Sequence, residues 1–396
     1  MGVLMRVFPP GVVDEVIAEC GRTRKRHRSL PARSVAYFVI GMALHADGSY
    51  EDVLALISDG VVWAGRADAP RLADKGAISH ARRRLGVEPV ERLFRRVAVP
   101  LALPGTPGSF LAGRRLVAID GMCLDVADTP GNDGFFGRPG VMKGERAAFP
   151  QARVIAVAEC GSHAIIDAVV GPYAVSENAA AGGLLDRLEP GMLCLADRGF
   201  HSFTAWQQAS ATGADLCWRV RSTLKLPVLE ELPDGSWISE VFDSKTDRKH
   251  EHGARVRVIE DGREPAGPYR LITTITDPGD GPAGELAAAY AQRWQIETAF
   301  NELKTHQRGP RKVLRSGTPE LVLQEIWGYL CCHYAIRTLM FDAATQAGQD
   351  PDRISFVTAL RLSRRSITQQ GAFSPPLSTL TAATSSPGSS ATRSAS

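Results

Sequence analysis

The sequence contains no run of about 18 apolar residues, the least that a membrane-crossing helix needs, so no membrane span is expected. Pro9, Pro10, Asp14 and Glu15 stand where the apolar core of a secretory signal would lie, which argues against such a signal. Cysteine is sparse: seven residues, at 20, 123, 160, 194, 217, 331 and 332, form no Cys-x-x-Cys pair. Their odd number favours a reduced, cytosolic chain over a disulfide framework. The nine histidines show no metal-ligand spacing, and His250 and His252, flanking Glu251 in a polar stretch, are assigned no role. Charge of one sign is lacking too, since 46 Lys and Arg against 43 Asp and Glu leave a net +3. Any polyanionic partner must therefore be argued from where the cations cluster. No internal repeat is evident.

What is present is enough chain for two domains, or for one large domain with an insertion: 396 residues, 44% hydrophobic and 22% charged. Residues 1–104 read as helical, because Arg33 to Leu44, Tyr50 to Ile57, Ile78 to Leu85 and Glu88 to Val99 repeat apolar residues at helical spacing. The Gly105-Thr-Pro-Gly108 cluster ends that pattern and marks an expected boundary. Short β-rich runs follow at Arg115 to Leu124, Arg153 to Glu159, Ala164 to Val170, Met192 to Ala196 and Leu216 to Val220. The second and third are joined by Cys160-Gly-Ser-His163, short enough for a hairpin. Helical segments at Asn178 to Leu188 and Phe203 to Ala211 supply the crossovers that parallel strands need. Three strands, then helix, strand, helix, strand is the order of an RNase H-like sheet. Further β pieces (Ser236 to Val241, Arg255 to Ile259, Tyr269 to Ile275) suggest a β insertion at about 222–280 within a catalytic unit spanning 105–345. A long apolar helix is expected from Pro319 to Phe341 and a helical segment over 346–368. The Ser, Thr, Ala and Pro-rich residues 369–396 are expected to be disordered.

One apolar strand is interrupted by a single carboxylate, Asp120 in Val117-Ala-Ile-Asp-Gly-Met122, and another is followed directly by Asp197, in Leu193-Cys-Leu-Ala-Asp-Arg-Gly-Phe200. Either alone is commonly just a turn aspartate. Alternation sends Asp125 to the opposite face from Asp120, so at most one of those two can face a shared site. The third carboxylate lies in Tyr290-Ala-Gln-Arg-Trp-Gln-Ile-Glu-Thr-Ala-Phe-Asn-Glu-Leu-Lys304. On one continuous helix Tyr290, Arg293, Glu297 and Lys304 fall at roughly 0°, 300°, 340° and 320°, on a single stripe beside an apolar face of Ile296, Ala299, Phe300 and Leu303. Trp294, at about 40°, borders the stripe and could stack on an unpaired base or pack into the core. Three carboxylates brought together suit a pair of Mg²⁺ or Mn²⁺ ions beside a phosphodiester.

In these residues the chain resembles the DDE transposases of bacterial insertion sequences, in the insertion-sequence-four family marked by Tyr-x2-Arg-x3-Glu-x6-Lys. Tyr290, Arg293, Glu297 and Lys304 match that spacing, and the Ile-Asp-Gly and Ala-Asp-Arg-Gly-Phe motifs around Asp120 and Asp197 match the two others. The likeness runs from about residue 20 to 365. It implies an RNase H-like catalytic domain with a β insertion behind a helical DNA-binding domain. It also implies Asp120, Asp197 and Glu297 as catalytic metal ligands, and Tyr290, Arg293 and Lys304 as contacts to phosphates near the cleaved end, with Arg198 beside them. The implied partners are duplex element ends, a target duplex and a second copy of the chain in the synaptic complex, and the implied reactions are strand nicking by water and strand transfer by the freed 3′-hydroxyl. Two other readings stay open: a nuclease without strand transfer, and an inactive or truncated relative that only binds ends.

Cations cluster in Arg22-Thr-Arg-Lys-Arg-His-Arg28 and in Arg82-Arg-Arg84, with Arg92, Arg95 and Arg96 beyond. Arg24, Lys25, Arg26, Arg82, Arg83 and Arg84 are the expected duplex contacts. Ile78 to Gly86 with the helix after it could form a helix-turn-helix element.

Overall fold

Leu116 to Ile119 are apolar on both faces of a strand, a pattern that calls for helices above and below a sheet. The computed structural model describes residues 2–23, 30–63, 72–140, 146–243, 252–262, 269–310 and 312–365. Arg24, Lys25, Arg26 and the expected disordered tail lie outside the described residues. Strand β2 (Arg114–Asp125) sits at the centre, with the short β1 (Phe110–Leu111) on its N-terminal end. On one side β2 pairs antiparallel with β3 (Gln151–Glu159), which pairs antiparallel with β4 (Ile165–Pro172). On the other it runs parallel to β5 (Met192–Ala196), and β5 parallel to β6 (Asp215–Val220). The hairpin and both parallel crossovers match the expectation and complete an RNase H-like sheet. The β insertion does not form a separate layer. Its strands β7 (Glu230–Glu231), β8 (Trp237–Val241), β9 (Ala254–Asp261) and β10 (Tyr269–Thr273) continue the same sheet, because β10 pairs antiparallel with β6. Arg257, fully buried, fastens the insertion by donating to Asp234, to Ser236 Oγ at 2.7 Å and to the Gly281 carbonyl at 2.7 Å.

The N-terminal helices are α1 (Gly2–Val7), α2 (Pro10–Glu19), α3 (Ala32–Leu44), α4 (Tyr50–Trp63), α5 (Lys75–Leu85) and α6 (Glu88–Val97). The rest are α7 (Pro130–Phe136), α8 (Glu177–Leu185), α9 (Phe203–Ala211), α10 (Ala283–Ala291), α11 (Trp294–Asn301), α12 (Pro319–Ala347) and α13 (Phe356–Arg365). Ser176 and Ser202 cap α8 and α9 through their side chains. These two helices cover one sheet face, where Val117 and Ile119 of β2 pack with Trp206 and Trp218. Leu116, Ala118, Met122 and Leu124 point the other way, into a core shared with Ile296, Phe300 and the length of α12. That second core does not stop at residue 104, since it includes Val3, Phe8, Val39, Leu54, Leu85 and Phe94. Helix α3 is buried from Ser34 to Leu44 and packs along α12. Gly328 permits this contact, for a Cβ there would stand 2.6 Å from the Val39 carbonyl oxygen. The expected boundary thus separates secondary-structure types rather than cores. Among the described residues no helix is long and apolar enough to cross a membrane.

Candidate active site

The parallel register of β2 and β5 ends at Ile119 against Ala196, so Asp120, in the middle of β2, lies on the strand next to Asp197, which directly follows β5 at that strand's C-terminal edge. Open α/β sheets bind ligands at that edge. Glu297 comes down from α11, which packs on β2 and β3. Asp120, Glu297 and Lys304 line one cleft of about 440 Å³, with Phe300 and Asn301 on its helical wall. Asp197 lies beside this cleft and is not among its lining residues.

The Asp120 carboxylate accepts from the Gly121 N–H at 2.7 Å and from Arg293 Nη1 at 3.3 Å. Burial nonetheless pushes its pKa up to about 6, outweighing the Gly121 and Arg293 contributions, with the Glu297 and Glu177 charges adding to the rise. Arg293 Nη2 donates to Glu297 Oε1 at 3.2 Å, so one guanidinium bridges the two carboxylates. Burial pulls the Arg293 pKa down, but the anionic neighbours, Asp197 included, leave it raised.

Glu177, at the first turn of α8, was not singled out in the sequence. Its Oε1 accepts from Arg153 Nη1 at 2.7 Å and lies 3.2 Å from where a Cβ on Gly121 would stand, which helps explain the glycine after Asp120. Its only local signal is the Ser-Glu pair that opens a helix.

The carboxylate oxygens are hard donors of the kind Mg²⁺ and Mn²⁺ prefer. Among the described residues, however, no three Asp, Glu, His or Cys side chains converge closely enough to hold an ion, and Arg293 stands between two of the candidates. The donor chemistry fits a divalent metal; the spacing does not while that guanidinium stays in place.

Several expected contacts need correction. The segment 290–304 is not one helix: α10 ends at Ala291, the chain turns at Gln292 and Arg293, and a π-helical turn over Glu302–Gln307 follows α11. The break is pinned from outside, by Gln295 accepting from the Gly161 N–H and donating to Gln292 Oε1 at 2.6 Å. Tyr290 consequently leaves the stripe. It is 4% exposed, packs on Tyr269 of β10, and has a buried hydroxyl without a partner that reaches no phosphate in this arrangement. Trp294 is 61% exposed beside Arg293, and Arg198, directly after Asp197, is exposed. Lys304 sits half-buried in the π-helical turn. That turn is locked by Glu302, which accepts from Arg337 Nε at 2.8 Å and pairs with His333 Nε2 at 3.0 Å.

Arg82 is no duplex contact. Its fully buried guanidinium donates to Gln324 Oε1 at 2.8 Å, Tyr50 Oη at 2.6 Å, Ser316 Oγ at 3.2 Å and the Leu321 carbonyl at 2.9 Å. Arg83 is exposed and Arg84 half-buried at the next two positions of α5. The cations of α6 are largely neutralised: Arg92 by Glu88, Arg95 by Glu91 and Asp167, Arg96 by Glu19.

An RNase H-like sheet thus carries Asp120 within β2 and Asp197 just past β5, with Glu297 on a helix packed against it. Residues 1–95 match the family model for the N-terminal region of insertion element 4 transposases, and residues 111–334 match that for the transposase DDE domain. The transposase InsG for insertion sequence element IS4 of Escherichia coli (strain K12) is 30% identical over 92% of this chain and 82% of its own length. The putative transposase InsZ of the same strain is 29% identical over 49% of this chain and 62% of its own. A piggyBac transposase synaptic complex with hairpin DNA is a distant structural neighbour, at a TM-score of 0.49 and 13% identity over 92% of this chain and 79% of that one. The chain belongs to the IS4-type DDE transposase family and is a transposase of the DDE type. Membership implies dependence on a divalent metal and DNA as partner.

Proposed function

We propose that the protein recognises the inverted-repeat ends of its own element, cleaves them and joins them to a target duplex, with Asp120, Asp197 and Glu297 holding two Mg²⁺ or Mn²⁺ ions. What supports this assignment is the β2–β5 register, which carries Asp120 and Asp197 on neighbouring strands, together with the cleft that Asp120 shares with Glu297. When bound, such ions make a water or 3′-hydroxyl a better nucleophile at neutral pH and neutralise charge on the leaving oxygen. Lys304, along the same cleft, would hold the phosphate to be cut, and Arg198 a neighbouring one. Trp294, exposed beside Arg293, would stack on a base freed from its pair. Arg83, Arg84 and the basic residues Arg24, Lys25 and Arg26 would grip the terminal repeat, while two copies of the chain would bring the two ends together in the cytoplasm.

The test is incubation of the purified protein with labelled duplex carrying its element's end, in Mg²⁺ and in EDTA, alongside Asp197→Asn and Glu297→Gln. Cleavage at the element boundary that needs metal and is lost in both variants is expected. A Glu297→Gln protein cutting at the wild-type rate would remove Glu297 from the ligand set.

A further inference from the structure

Arg293 holds an unusual position for a side chain expected to touch DNA. It is 7% exposed, and its two terminal nitrogens each reach one carboxylate, Asp120 at 3.3 Å and Glu297 at 3.2 Å. Its Nε is buried and unpartnered. Both contacts go to single oxygens and are long for charge-assisted hydrogen bonds, so the pairs fall short of the bidentate geometry that makes Arg–carboxylate pairs strong. The guanidinium packs beside the exposed Trp294 ring, 5.6 Å from its centroid. A dication shared by Asp120 and Glu297 cannot coexist with a guanidinium between them without strong like-charge repulsion.

We propose that Arg293 is an internal counter-ion: in the metal-free chain it occupies the space between Asp120 and Glu297, and metal entry displaces it outward along Trp294 to a DNA phosphate. The inference rests on Asp120 and Glu297 being metal ligands. One side chain then couples two binding events. Metal frees the cation that grips phosphate, and a phosphate that captures the cation vacates the metal site. Linkage makes the two effects equal in size.

The experiment measures Mn²⁺ binding by the full chain without DNA, using electron paramagnetic resonance of free Mn²⁺, for wild type, Arg293→Gln, Arg293→Lys and Asp120→Asn. End-duplex affinity by fluorescence anisotropy in Ca²⁺ and in EDTA completes it. Arg293→Gln should bind Mn²⁺ about tenfold or more tightly than wild type, with Arg293→Lys between them. Wild type should bind duplex more tightly in Ca²⁺ than in EDTA, and Arg293→Gln should lose that gain. Circular dichroism melting confirms that each variant is folded, and Arg293→Lys, which keeps the charge, carries the comparison should Gln not fold. Unchanged Mn²⁺ affinity in Arg293→Gln, with binding lost in Asp120→Asn, would overturn the counter-ion role and leave the ligand assignment standing. Wild-type Mn²⁺ binding by Asp120→Asn would overturn the ligand assignment itself.

Discussion

Replacing Arg82 with Ala should destabilise the fold rather than merely loosen the protein's hold on DNA. The side chain makes four hydrogen bonds that tie α5 to Tyr50 of α4, to Ser316, and to Gln324 and Leu321 of α12. It also lies over the Tyr50 ring, 5.5 Å from the centroid. Hydrogen bonds to a charged group contribute about 1.5 to 3 kcal/mol each, and their acceptors would be left buried and dry. Glu325, buried and already accepting from Ser316, would lose part of the positive charge that balances it. Removing one member of such a buried network typically destabilises by about 3 to 5 kcal/mol. Equilibrium urea unfolding followed by tryptophan fluorescence should show a midpoint far below wild type for Arg82→Ala, and one within error of wild type for the exposed Arg83→Ala. An Arg82→Ala protein that unfolds at the wild-type midpoint yet binds the element end weakly would refute this reasoning.

Three further outcomes are expected. Asp120 is a carboxyl whose folded pKa, about 6, lies above its unfolded value of 3.8, so the folded chain holds a proton that the unfolded chain has released. Stability is therefore favoured at low pH and is lost as pH rises from about 4 through 6; in EDTA at pH 7 Asp120→Asn should exceed wild type by on the order of 2 kcal/mol, the gap closing by about pH 3, and a less stable variant at pH 7 would contradict the shift. Gly328→Ala should lower the unfolding free energy by about 1 to 3 kcal/mol, because the new Cβ meets backbone of α3 that cannot turn aside; calorimetry with an unchanged melting temperature would show that the α3–α12 contact yields. Trp294→Ala should leave stability within about 0.5 kcal/mol of wild type but weaken binding of an end with unpaired terminal bases by about 1 to 3 kcal/mol in an anisotropy titration, and equal affinity would exclude stacking.

The sheet was legible because its strands are short apolar runs bounded by turns, and Met192 to Ala196 and Phe203 to Ala211 stand where their patterns placed them. Asp197 was legible as the first carboxylate after such a run, and Asp120 as the single carboxylate that interrupts another. The phase of the Tyr290 to Lys304 segment was not. Its break carries no Gly or Pro, and what bends it is remote: the loop at Gly161, and Tyr269 of the insertion. The insertion's merger with the main sheet rests likewise on a non-local pairing of β6 with β10. Arg82 is a different case. It stands fourth after Ile78 and third before Leu85, next to Ala81, so helical spacing alone assigns it to the apolar face that the triple-arginine run disguises.

The packing of α3 against α12 has a temporal side. Helix α3 is made early and α12 among the last elements, and at synthesis rates of about 5 to 20 residues per second the delay between them is on the order of tens of seconds. Throughout that interval the all-apolar length from Val35 to Leu44 lacks its native cover. A ribosome that stops before α12 therefore releases a chain with that surface open, prone to aggregate or be degraded. Premature termination would in this way yield no enzyme and no lasting competitor for the element's ends.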